Sequence, residues 1–246
     1  MTADHKPFDT GSADLADTMV VERFYDRELT GRERAIKLLK QSLAALARLV
    51  GLALLLVPFQ LMGVVTLDLP LSMFDRLTPE DGLAASRFMS QGEGYLMMVL
   101  LAVLLMTRRW GSQLTGRVIM LSWVLTIVFL TMLIVDLAPE LDSEDFPSAR
   151  FVGSLIGSWF VGQLVAVTVY DLLRGGAWWR APFFGSALGF AVQAAIYFPG
   201  AFAGTGAPWG WWMAVSLFLT TLISAVFLLF YGPLRRLIRP VPGLGG

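Results

Sequence analysis

Two glutamines set in apolar surroundings have the most chemistry to offer. Gln163, Ala166 and Tyr170 stand at i, i+3 and i+7, so on a helix they share one face, and Ser186, Gly189, Gln193 and Tyr197 share another. A primary amide both donates and accepts hydrogen bonds, and a phenol ring stacks. The two faces would meet around a cavity. An amide removed from water must find partners, and Gln163 and Gln193 would also meet that need by bonding to each other across helices. Both readings stand at this level. Ionisable chemistry is missing: no Asp, Glu, Lys, Arg or His lies near the middle of an apolar run, and Asp136 and Asp171 fall at run ends. Charged groups inside a membrane are the usual mark of proton or ion coupling, so coupling of that kind is not expected. No nucleophile motif, acid–base cluster or phosphate loop points to an enzyme. There is no cysteine and one histidine, His5, in the polar N-terminal stretch. No metal site, haem or other cofactor is expected.

The elements that must position these faces follow from hydropathy. Of the 246 residues 56% are hydrophobic and 15% charged, with a mean hydropathy of +0.65, against about 25% charged in a soluble domain. A helix needs about 20 apolar residues to cross the hydrocarbon core. Six such runs are present, at 43–66, 93–107, 118–137, 151–173, 182–204 and 211–234. The second is short in its clean part, Tyr95–Thr107, and is expected to be tilted, broken or shielded by neighbours. The expected fold is all-α: a polytopic bundle of six transmembrane helices. Residues 1–42 form a cytoplasmic N-terminal arm, 43–234 the membrane domain and 235–246 a short basic tail. Residues 1–30 are mixed and acidic-leaning rather than a signal peptide, so the first span is expected to direct insertion.

Orientation follows the basic residues. Arg32, Arg34, Lys37, Lys40 and Arg48 precede or open the first span, and Arg108, Arg109 and Arg117 separate the second and third. Arg174 and Arg180 separate the fourth and fifth, and Arg235, Arg236 and Arg239 follow the sixth. The alternate loops are acidic, with Asp68, Asp75, Glu80, Asp81 and Glu93 in one and Asp136, Glu140, Asp142, Glu144 and Asp145 in the other. Both termini are therefore expected in the cytoplasm. Net charge is zero and no basic face stands out, which argues against nucleic acid as a partner.

Within the arm, Leu15, Met19, Val20 and Phe24 form an intermittent apolar stripe suited to lipid headgroups or to a partner subunit. Thr30-Gly31-Arg32-Glu33 fits a capping box that would open a basic amphipathic helix over Ala35–Leu46. Gly153-xxx-Gly157, Gly162 and Gly185-xxx-Gly189 predict close helix packing within the bundle. Pro58 and Pro199-Gly200 predict bends or breaks. Trp123, Trp159, Trp178, Trp179, Trp209, Trp211 and Trp212 are expected as interfacial anchors.

Several stretches carry a resemblance. Gly162-Gln-Leu-Val-Ala-Val-Thr-Val-Tyr170 resembles the fourth-helix motif of the vitamin uptake transporter family, which includes the bacterial queuosine precursor transporter. Trp178-Trp-Arg-Ala-Pro182 resembles that family's cytoplasmic turn, and Gly189-Phe-Ala-Val-Gln193-Ala-Ala-Ile-Tyr197-Phe198 its fifth helix. Arg108-Arg-Trp-Gly111 and Phe230-Tyr-Gly232 are similar to its second loop and last helix end, so the likeness covers roughly 95–235. The family usually has aspartate where this chain has Leu104, Ala166 and Gln193. The resemblance implies a multi-pass protein of a bacterial inner membrane. It also implies a facilitative carrier of a small queuosine-precursor or vitamin-like heterocycle, with Gln163, Tyr170, Gln193 and Tyr197 as binding residues. The alternative is a non-transporting accessory or scaffold subunit of a larger energy-converting or photosynthetic membrane complex. In it Leu15, Met19, Val20 and Phe24 would clamp the partner.

Overall fold

The computed structural model describes residues 31–71, 90–137, 139 and 148–241. The arm stripe of Leu15, Met19, Val20 and Phe24, and Thr30 of the expected capping box, lie outside the described residues. Six helices follow one another: α1 (Gly31–Val65), α2 (Gln91–Trp110), α3 (Ser112–Leu137), α4 (Ala149–Leu172), α5 (Arg180–Phe202) and α6 (Trp209–Leu237). Five of them are long and apolar enough to cross a membrane by length and composition, α2 being the exception. Their large outward-facing apolar side chains, such as Met132, Val135, Phe218 and Leu229, suit hydrocarbon rather than water. The protein is a multi-pass helical membrane protein.

The chain divides into two compact units within α1, after Ala47. In the first, the described residues 31–47 are helical and exposed throughout. Basic Arg34, Lys37 and Lys40 and apolar Ile36, Leu39 and Leu43 are all exposed there. The second unit, from Arg48 onward, holds the bundle.

The core of that bundle is α2, buried along Leu96, Met97, Val99, Leu100, Val103 and Leu104 and through to Thr107. Its shortness as an apolar run is explained by shielding, since other helices rather than lipid surround it. It opens on a capping box that escaped the sequence reading. Ser90 Oγ accepts from Glu93 N (3.1 Å) while Ser90 N donates to Glu93 Oε2 (3.3 Å), so two free backbone donors are satisfied reciprocally. Gly63 of α1 and Gly92 bring the two helix ends into backbone contact, with no room for a Cβ at Gly92.

The closest helix pair is α4 against α5, and glycine is the reason. A Cβ on Gly162 would lie 2.7 Å from Gly189 O, and one on Gly189 would lie 2.8 Å from both Gly162 O and Ala166 Cβ. Gly153 and Gly157 face open space, with nothing within 4 Å of an added Cβ. The small-residue seam therefore pairs Gly162 with Gly189 and Ala166 with Gly185, and the Gly153-xxx-Gly157 repeat takes no part. Neither proline breaks its helix, for α1 runs through Pro58 and α5 continues past Pro199. Arg150 caps the end of α5, donating to the carbonyls of Gly200 (2.6 Å) and Ala203 (2.7 Å), which have no partner further along the helix.

α1 and α3 are fastened by a polar cluster. Gln60 Nε2 donates to Ser122 Oγ (3.1 Å) and Thr126 Oγ1 donates to Gln60 Oε1 (2.8 Å), all three residues being fully buried. Two tryptophans expected at the membrane surface are instead in the core, Trp123 at 2% exposure and Trp159 at 3%, whereas Trp178, Trp179, Trp211 and Trp212 are exposed at helix ends. Their depth was misjudged because each lies several residues from its apolar run's centre, and hydropathy does not distinguish a core-facing ring from a surface one.

Candidate binding site

The glycine seam brings Gln163 and Gln193 to one level. Both turn inward as the shared-face argument required, and so do Ala166, Tyr170, Ser186 and Gly189. The two amides do not bond each other. Gln163 Oε1 accepts from Trp123 Nε1 (3.0 Å), and its Nε2, at 1% exposure for the residue, has no partner among the described residues. Trp159 Nε1, one turn away on α4, is also buried and unpartnered. An unpaired buried donor costs about 1–3 kcal/mol, so this level of the bundle holds two unmet demands for an acceptor. Leu100, Trp159, Gly162, Gln163, Gly189, Phe190 and Gln193 close around it with no free volume. Trp159 packs edge-on against Phe190, with centroids 6.0 Å apart.

Consecutive helices run in opposite directions, and this splits the expected tyrosines. Tyr170 lies seven residues past Gln163 on α4, and Tyr197 four past Gln193 on the antiparallel α5. Eleven residues at about 1.5 Å each put the tyrosines about 16 Å apart along the bundle. The structure brings Gln163 and Gln193 together and leaves the tyrosines at opposite ends.

Tyr197 faces a chamber of about 350 Å³ at the end where α2 begins and α5 finishes, lined also by Glu93, Phe198, Phe202, Trp211, Trp212 and Ser216. A smaller void of about 20 Å³, room for a single water, continues inward. It shares Glu93 and Ser216 with the chamber and Trp159, Phe190 and Gln193 with the closed level. Glu93, read from sequence as a loop acid, thus lines both the chamber and the void that reaches Gln193. The signal that would have found it is Ser90-x-x-Glu93 ahead of an apolar run, which puts the carboxylate in the first turn of a helix.

Tyr170 belongs to the other end. Its hydroxyl is hydrogen-bonded to that of Tyr231, and the two rings line a cavity of about 90 Å³ with Arg108, Arg174, Trp178 and Arg235. The guanidinium groups are held in place. Arg174 pairs with Asp171 (2.8 Å) and donates to Thr107 O (2.5 Å), Arg108 donates to Ile238 O (3.2 Å), and Arg235 lies 4.9 Å over the Trp178 ring. Asp171 in turn accepts from Ser112 Oγ (2.6 Å). The bundle therefore carries an acidic, aromatic chamber at one end, a basic one at the other, and amides in the closed level between. Among the described residues no group of three His, Asp or Glu side chains is placed to hold a metal ion. No family model, curated protein or solved structure matches this chain.

Proposed function

We propose that this protein is a membrane carrier for a small heterocyclic molecule, moving it by alternating access between the two chambers. The observation that supports this reading is the pair of unpartnered donors, Trp159 Nε1 and Gln163 Nε2, buried at the closed level beside Gln193. A protein that only needed a stable bundle would do better with apolar side chains there, because each orphaned donor is destabilising. A substrate carrying ring nitrogens and carbonyls would supply the missing acceptors as it passes. In this reading α2 is a sixth span, both termini are cytoplasmic and the basic chamber opens to the cytoplasm of a bacterium whose inner membrane houses the protein. Transport is facilitative, since the closed level offers amides and no ionisable group to a coupling ion. The likeness of Gly162–Tyr170 and Gly189–Phe198 to the vitamin uptake transporter helices supports the same reading and points to deazapurine queuosine precursors or vitamin-like rings.

The test is uptake of a radiolabelled deazapurine into proteoliposomes. Gln193→Leu removes an amide from the path and should weaken substrate affinity about 5- to 150-fold, the equivalent of about 1–3 kcal/mol of hydrogen bonding. Equal uptake by wild type and Gln193→Leu would take Gln193 out of the path. If wild type moves no heterocycle and is recovered from membranes in fixed ratio with another subunit, the carrier reading gives way to that of an accessory scaffold.

A further inference from the structure

The chamber that contains Tyr197 has a chemistry distinct from the neutral level beneath it. Among the described residues its one lining carboxylate, Glu93, stands among the rings of Tyr197, Phe198, Phe202, Trp211 and Trp212. The capping box fixes that carboxylate: Oε2 accepts from Ser90 N, which leaves Oε1 for another donor. Among the described residues no lysine or arginine forms an ion pair with Glu93. Arg150 is the described basic side chain at this end, and its guanidinium is taken up by the carbonyls of Pro199, Gly200 and Ala203.

The rings form a fixed lattice. Tyr197 meets Phe202 edge-on at 5.8 Å, and Phe202 meets Trp212 edge-on at 5.4 Å. Aromatic residues at a membrane surface are commonly anchors, and Trp211, 70% exposed, is one on that account. An anchor belt does not call for a carboxylate held half-buried among the rings by its own helix cap. A carboxylate in an apolar setting without a counter-ion is costly, and the electron-rich faces of aromatic rings attract the same sign of charge as the carboxylate does.

We propose that this chamber is the entry site for an organic cation, an ammonium or protonated heterocycle small enough for about 350 Å³, bound by Glu93 and the faces of Tyr197, Phe202 and Trp212. The inference rests on the carrier reading for what happens after binding, and it narrows the substrate to a heterocycle bearing positive charge. Binding itself is independent of transport and is measured separately.

The probe is benzylammonium (benzylamine at pH 7), titrated calorimetrically into full-length protein in nanodiscs of zwitterionic lipid, with benzyl alcohol as the uncharged comparison. Wild type binds the cation and shows no saturable binding of the alcohol. Glu93→Gln keeps the shape and the acceptor for Ser90 N, and weakens cation binding about 10- to 150-fold, the range of a charge-assisted contact. Tyr197→Leu, which leaves the capping box untouched, weakens it about 5- to 30-fold by removing a ring face. Saturable cation binding unchanged in both variants, or equal binding of alcohol and cation, overturns the proposal. Cation binding with no uptake of any heterocycle upholds it and removes the carrier reading. Uptake of an uncharged heterocycle by a protein that binds no cation does the reverse.

Discussion

Substituting one methyl group at two glycines distinguishes the α4–α5 seam from a sequence repeat that resembles one. At Gly189 the added Cβ of alanine lies 2.8 Å from Ala166 Cβ and from Gly162 O, where ordinary contact begins at 3.4 Å. Neither obstacle is the flexible end of a long side chain, so the two helices must separate locally by about 0.6 Å, from 2.8 to 3.4 Å. A gap of about 0.5–1 Å forfeits a quarter to a half of the dispersion energy of each affected atom pair. Overpacking of this kind costs about 1–3 kcal/mol. At Gly157 nothing lies within 4 Å of the new Cβ. Alanine there is expected to be neutral or to stabilise by up to about 1 kcal/mol through helix propensity. The assay is unfolding of purified protein by SDS titration from a mild detergent, followed by circular dichroism. Gly189→Ala should shift the midpoint to lower SDS and Gly157→Ala should not. Equal destabilisation by the two would refute the assignment of the seam to Gly162, Gly185 and Gly189.

The hydrogen-bonded pair of Tyr170 and Tyr231 should behave as a unit: Tyr231→Phe removes a partner of the buried Tyr170 hydroxyl and costs about 0.5–1.5 kcal/mol. Adding Tyr170→Phe should recover part of that loss, and additive losses in SDS unfolding would show that the hydroxyls act separately. For orientation, reporters fused after Gly246 or inserted between Arg109 and Arg117 are expected in the cytoplasm, and one inserted near 142–145 on the opposite side. A C-terminus found outside would remove α2 from the count of spans.

Hydropathy made the helices legible because lipid-facing side chains leave a long apolar run, and α3, with Met132, Ile134 and Val135 outward, is the clearest example. Periodicity made the inward faces legible too. The spacing of Gln163, Ala166 and Tyr170, and that of Ser186, Gly189 and Gln193, gives the faces that are buried. Height along the bundle was not legible. A helical wheel projects each face onto a plane, so Tyr170 and Tyr197 looked like neighbours while the antiparallel course of α4 and α5 carried them to opposite chambers. Register was lost for a similar reason: Gly153-xxx-Gly157 and Gly185-xxx-Gly189 are equivalent as text, and the partner backbone decides which of them is a contact. Trp123 was read as an anchor because no local pattern records that its indole N–H meets Gln163, forty residues away.

The helix that hydropathy describes least well is the one that runs past both chambers and the closed level between them. α2 touches all three levels: Glu93 lines the acidic chamber, Leu100 the closed level and Arg108 the basic chamber. Covered by other helices along most of its length, it is largely free of the demand for a lipid-compatible surface at its ends, so charges there are kept from hydrocarbon while the cost of burying Glu93 among rings remains. Those charges shorten its apolar run and weaken it as a span on paper. In the carrier reading they are the reason it is central, since one rigid helix then presents a carboxylate at one mouth and a guanidinium at the other. A cation drawn to Glu93 would meet Arg108 at the far end as a repelling charge, which favours release there over retention. The same asymmetry would work against an anion entering from the acidic end, so in the carrier reading the charges on this helix would select the sign of the solute as well as its direction of approach.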